Sequence, residues 1–211
     1  MLKTITFIGG CIIMGITNAA EIVTLDKDTG KYLTSKCQII NLENNGLAEA
    51  QKTIAILKST LKPLLPAAGL AAPQIGISQR IFLFSWDRTE QHQIGVINPS
   101  FTPVNDEREL GWEGCFSIML GDGPYQLANI PRYKKIKVTY INEQGQSVTQ
   151  ILEGFSAKVF QHEYDHIEGI ANVHRKDAEI KTFGSKEAIS TFMKEVKAKD
   201  KVNYIAPYST Q

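Results

Sequence analysis

His162-Glu163-Tyr164-Asp165-His166 sets two imidazoles four positions apart with a carboxylate beside the first. On an α-helix that spacing stacks both imidazoles on one face, one turn apart, where they can share a metal ion while Glu163 faces a water on it. The chemistry implied is hydrolysis by a metal-activated water. A catalytic ion of this kind usually takes about three protein ligands and keeps one position open, so the third donor decides the kind of hydrolase. Cys115, in Glu113-Gly114-Cys115-Phe116-Ser117, offers a sulfur that a metal would deprotonate. Taken alone, such a cysteine is more often a small buried hydrophobe. Glu187 offers a carboxylate at a usable distance downstream. It also falls in the first turn of a predicted helix, where the helix dipole favours an acid without any metal. The run Ala67-Ala68-Gly69-Leu70-Ala71-Ala72-Pro73-Gln74 ends in a primary amide that could donate to a developing oxyanion. Its small side chains let another backbone or a ligand come close.

These residues need elements to hold them. Leu47, Ala50, Ile54, Leu57 and Leu61 recur at helical steps, which predicts an amphipathic helix ended by Pro63 and Pro66. Ile81 to Phe84 and Gly95 to Asn98 are short apolar segments with the look of buried strands. Lys135 to Tyr140 alternates polar with apolar, turns at Asn142 to Gly145, and returns as Ser147 to Leu152. A helix is expected over Ser156 to Glu168, and a last one from Ser185 with Ile189, Phe192, Met193 and Val196 on one face. Strands and helices mix without a βαβ rhythm. The expected class is α+β: antiparallel β-sheets packed around a central helix carrying H-E-x-x-H, with a C-terminal helix.

The chain of 211 residues carries 23 Lys and Arg against 22 Asp and Glu. A near-zero balance gives no extended electrostatic grip on nucleic acid or an acidic membrane, so no direct nucleic-acid binding is expected. Its three cysteines, Cys11, Cys37 and Cys115, are too few and scattered for a disulfide framework. Residues 1–20 read as a signal-peptide-like extension: Lys3, a mostly apolar run from Ile5 to Ile16, then Thr17-Asn18-Ala19. That segment suggests export to the periplasm. The rest, 21–211, reads as one catalytic domain with no transmembrane segment.

The third donor can be tested against known patterns. In metzincins the second His is followed by a Gly three residues on and a His three beyond that; Gly169 fits, but Asn172 stands in the place of the His. Thermolysin-like enzymes would use Glu187. The three motifs together, Ala67 to Gln74, Glu113 to Ser117 and Gln161 to Gly169, resemble the peptide deformylase family, whose members carry G-x-G-x-A-A-x-Q, E-G-C-x-S and Q-H-E-x-D-H-x-x-G in that order. The resemblance runs from about Ile22 to about Arg175. It implies that Cys115, His162 and His166 bind one divalent metal, iron (Fe2+) in the cell, with Zn2+, Ni2+ or Co2+ also able to serve. It implies Glu163 as general base and acid, Gln74 and the Phe116 backbone N–H as oxyanion donors, and Gly69 alongside the peptide. The substrate would be an N-formyl-methionyl peptide, and the partners ribosomal nascent chains if the protein is cytoplasmic. Family membership thus points to the cytoplasm where the N-terminal segment points to export.

The chain departs from the pattern in places. Ala67 replaces the first Gly of the loop, so either a positive φ there is strained or the loop has another shape. Phe116 stands where Leu is usual, and Met119 to Gln126 is longer than the family segment, which predicts a remodelled pocket rim. Glu113, Gln161 and Asp165 are expected to orient ligands or accept the second imidazole N–H. Two other readings stay open on the residues alone: a zinc metallopeptidase with Glu187 as third ligand, and a relative that binds formyl peptides without turnover.

Overall fold

The computed structural model describes residues 19–200, with side chains to residue 196. The signal-peptide-like segment before Ala19 and the tail beyond Asp200 lie outside the described residues. In chain order the main elements are α1 (Gly46–Leu61), β1 (Gly69–Ala71), β2 (Ile81–Ser85), β3 (Gln93–Pro103), β4 (Arg108–Glu113) and α2 (Phe116–Met119). They continue as β5 (Tyr125–Tyr133), β6 (Lys135–Ile141), β7 (Ser147–Glu153), α3 (Phe155–Ile167), β8 (Glu179–Phe183) and α4 (Lys186–Asp200). Five strands form one sheet in the order β1-β2-β3-β6-β7, and three form another in the order β4-β5-β8. Every pair of named strands is antiparallel, so the fold is α+β as its alternating patterns imply.

β2 divides the core. Successive strand side chains point to opposite faces, so Ile81 and Leu83 pack with Ala50, Ile54, Leu57 and Leu61 of α1. Phe82 and Phe84 face the other way, meeting Phe160 of α3 edge-on with ring centroids 5.0 and 5.6 Å away. α3 touches β1, β2 and β7 of the larger sheet and β5 of the smaller one. An ordinary surface helix buries one stripe. α3 also buries Gln161, Glu163, Asp165 and His166, so these polar groups must find partners inside the protein.

The C-terminus of α3 is set by Gly169. Its φ of +76° belongs to the left-handed region. There the Ile170 N–H donates to Asp165 O and the Gly169 N–H to His166 O, the paired bonds of a Schellman cap. A Cβ on Gly169 would also meet the Ser35 carbonyl carbon at 2.6 Å. Gly169→Ala should therefore destabilise the protein by about 2 kcal/mol, strain and overlap acting together. Urea unfolding checks it, and an unchanged midpoint would contradict this account.

One strand exceeds its expectation, and others have no counterpart in the sequence patterns. β3 runs on to Pro103 through an irregularity between Ile97 and Ser100, where Asn98 takes a φ of +50°. Its side chain is held by Ile40, accepting from the Ile40 N–H at 3.0 Å and donating to Ile40 O at 2.8 Å. β1, β4, β5 and β8 have none: Pro131 interrupts the strand pattern of β5, and β8 is mostly exposed. No helix among the described residues is long and apolar enough to cross a membrane.

Candidate metal centre

α3 carries His162 and His166 one turn apart toward the end of β4, after which Cys115 follows. The potential ligand atoms of Cys115, His162 and His166 all lie within 4.8 Å of one another. Cys115 Sγ is 3.2 Å from His166 Nε2, across 51 residues of sequence. Glu187 is absent from this cluster. It is exposed in the first turn of α4, where its own backbone N–H and the Ser185 hydroxyl hold its carboxyl below the ordinary range. Asn172, in the place of a metzincin His, is buried and donates to Glu113 O at 3.2 Å, fastening the segment that delivers Cys115.

A buried ionic chain backs the histidines. Glu113 Oε2 lies 2.9 Å from His162 Nδ1, which turns the other ring nitrogen toward the sulfur. Arg132, 3% exposed, grips Glu113 with Nε and Nη2 at 2.9 Å each and Asp165 with Nη1 at 2.6 Å. Arg175 closes on Asp165 from the other side at 3.0 Å. Of the three residues expected to orient ligands, only Glu113 touches an imidazole. Asp165 instead anchors the two arginines. Gln161 ties α3 to β5 by donating to Tyr133 O at 2.9 Å and accepting from the Tyr133 N–H at 3.1 Å. Arg132 is the residue that sequence reasoning missed, because nothing in Pro131-Arg132-Tyr133 signals a partner on another element.

The electrostatics match these contacts. Burial works to raise the Glu113 carboxyl, but Arg132 and then His162 outweigh it and hold it at about 2. Burial likewise opposes the Cys115 thiolate, yet His166 and His162 bring its pKa down to about 5. His162 is driven the other way: burial disfavours its charge, and the bonds to Cys115 and Glu113 overcome that and raise its pKa well above the usual value. A sulfur poised as thiolate, two inward-facing imidazoles and a carboxylate behind one of them fit a borderline divalent cation.

Around this cluster lies a cavity of about 440 Å³ whose walls include Gly69, Gln74, Phe116 and Glu163. Glu163 lies so close to β1 that a Cβ on Gly69 would meet its Oε1 at 2.5 Å. Its Oε2 is buried with no hydrogen-bond partner among the described residues. Burial pushes this carboxyl up to about 7. Gln74 accepts from the Ala71 N–H at 2.9 Å and donates to Ser117 Oγ at 3.2 Å and Cys115 Sγ at 3.5 Å, so its amide N–H side faces the cluster. Ala67 has no positive φ and packs in the core with α1, so the loop takes a shape that needs no glycine there. In the segment after α2 the Asp122 N–H donates to Asp26 at 3.2 Å and the Asp122 carboxylate pairs with Lys27 at 2.9 Å. Met119 at its start lines the cavity.

Fold and site together define an α+β protein with a Cys-His-His candidate metal centre at the wall of a cavity. Residues 19–182 match the model of the polypeptide deformylase family, and the chain belongs to that metal-dependent family. It is 43% identical over 107 residues to the peptide deformylase of Thermotoga petrophila, a match covering 51% of this chain and 60% of that protein. It is 39% identical over 110 residues to peptide deformylase 2 of Ralstonia nicotianae, covering 49% and 59%. The aligned stretch thus spans a little under two thirds of these curated relatives. In structure it resembles the peptide deformylase of Thermotoga maritima, with a TM-score of 0.63 and 32% identity over 75% of this chain and 97% of that one. A Met-Ala-Ser-bound class I type b peptide deformylase from Acinetobacter baumannii is similar too, with a TM-score of 0.63 and 25% identity over 76% and 99%.

Proposed function

We propose that this chain hydrolyses the formamide bond of N-formyl-methionyl peptides, releasing formate and a free amino terminus. One observation carries the reading: the buried Cys115 sulfur, 3.2 Å from His166 Nε2, shares its cavity wall with Glu163. Cys115, His162 and His166 would hold one divalent ion, iron(II) in the cell by the family resemblance, with zinc, nickel or cobalt as substitutes. Such an ion supplies Lewis acidity and lowers the pKa of a water to about 7.

The chain's own groups do the rest. Glu163 takes a proton from the attacking water and returns it to the departing amine nitrogen, and a carboxyl held by burial at about 7 suits both directions near neutral pH. The Gln74 amide and the Phe116 backbone N–H donate to the formyl oxygen as it gains charge. Gly69, with no side chain, lets the peptide backbone run beside β1. Nascent chains at the ribosome are the natural source of such amino termini in a cytoplasmic setting. Protein loaded anaerobically with iron(II) should release formate from formyl-Met-Ala-Ser, lose this activity to a chelator and regain it with added metal. Absence of formate from every metal-loaded form would leave a non-catalytic binder of formyl peptides.

A further inference from the structure

Lys158 lies on α3 one turn before His162, so both side chains leave the helix on the same face. It lines the cavity and is half buried. Its ammonium lies over β4 in space left by a missing side chain, for a Cβ on Gly111 would stand 2.0 Å from Lys158 Nζ. Among the described residues no carboxylate pairs with it. Of the acids on the same wall, Glu113 is committed to Arg132 and His162, and Glu163 packs against Gly69. A second cation, Arg88, lines the cavity with its guanidinium 4.8 Å from the Phe155 ring centroid. A half-buried ammonium without a counter-ion, beside a cavity that opens to substrate, is suited to an anion that arrives with the ligand.

We propose that Lys158 is a specificity-determining residue that receives a carboxylate of the peptide, near its formylated end. This rests on the deformylase reading for the orientation of the peptide. One helical turn is about 5.4 Å and an extended residue spans about 3.5 Å. An ammonium one turn from His162 therefore reaches only the first two or three residues. The carboxylate is then either the free C-terminus of a short formyl peptide or an acidic side chain just after the methionine.

Metal-loaded protein would be assayed for formate release with formyl-Met-Ala-Ser as the free acid and as its C-terminal amide, and with formyl-Met-Glu-Ser amide. The wild type should favour at least one carboxylate-bearing peptide over the neutral amide by about three- to fivefold in kcat/KM, through KM. The preference should fade as salt is added. Free-acid preference alone identifies the C-terminus, and preference for the glutamyl amide identifies the side chain. Lys158→Met should abolish the preference and Lys158→Arg restore it, whereas loss of mere packing would weaken all three peptides alike. Calorimetry with the corresponding unformylated peptides reads the same ratio in Kd without turnover. If no formate appears yet binding still discriminates, the reaction is wrong and the carboxylate subsite stands. Equal treatment of charged and neutral peptides by the wild type, in rate and in binding, would overturn the proposal, as would a preference that survives in Lys158→Met.

Discussion

Glu163→Gln should lower kcat for formate release by roughly 10²–10⁴-fold, with the metal content unchanged and KM little affected. Gln preserves the shape of a side chain that packs against Gly69 and whose Oε2 makes no hydrogen bond among the described residues, so neither fold nor ligand set should suffer. What disappears is the ability to take a proton from water and hand it to a leaving amine. The loss falls on kcat because proton transfer belongs to the transition state and not to ground-state binding. Metal analysis alongside steady-state kinetics checks both halves. A variant with full metal and near wild-type kcat would mean that another group moves the proton.

Arg132→Met is the largest expected change in stability, a loss of about 3–5 kcal/mol. Methionine fills much the same volume, so the cost arises from two carboxylates, Glu113 and Asp165, left buried without their shared cation. The pH dependence separates this from a packing defect. Glu113 titrates at about 2 in the folded protein against an ordinary 4.5, so its contribution is complete above pH 4.5 and is lost as the pH falls toward 2. Without Arg132 the carboxyl no longer holds that low value. The variant should therefore be weaker at neutral pH but lose less on acidification between 4.5 and 2, measured by denaturant unfolding of the metal-free protein. A curve parallel to the wild type's would refute the assignment. Metal affinity should fall about 10- to 100-fold as well, since Glu113 then orients His162 less firmly.

Much of this protein was legible in local spacing. The periodicity of Leu47 to Leu61 corresponds to α1, the alternation around Asn142 to Gly145 to the β6–β7 hairpin, and the His162–His166 step to neighbours on one face of α3. Such features depend on residues a few positions apart, where the period of the element itself decides who meets whom. The order of the three short motifs was enough for the family. By spacing alone Glu187 is an equally open third ligand, since spacing cannot show that α4 exposes it.

Contacts that span long stretches of chain depend on how the elements pack. Arg132 joins Glu113 and Asp165 from 19 and 33 positions away, and the sulfur of Cys115 reaches His166 across 51. Gly111 makes room for Lys158 only because β4 passes beneath that turn of α3. Residue types and local spacing settle which chemistry is available and which helix presents it. Which buried charges face one another depended on how two sheets close around α3, because the cost of burying a charge is offset only by partners brought in from distant parts of the chain.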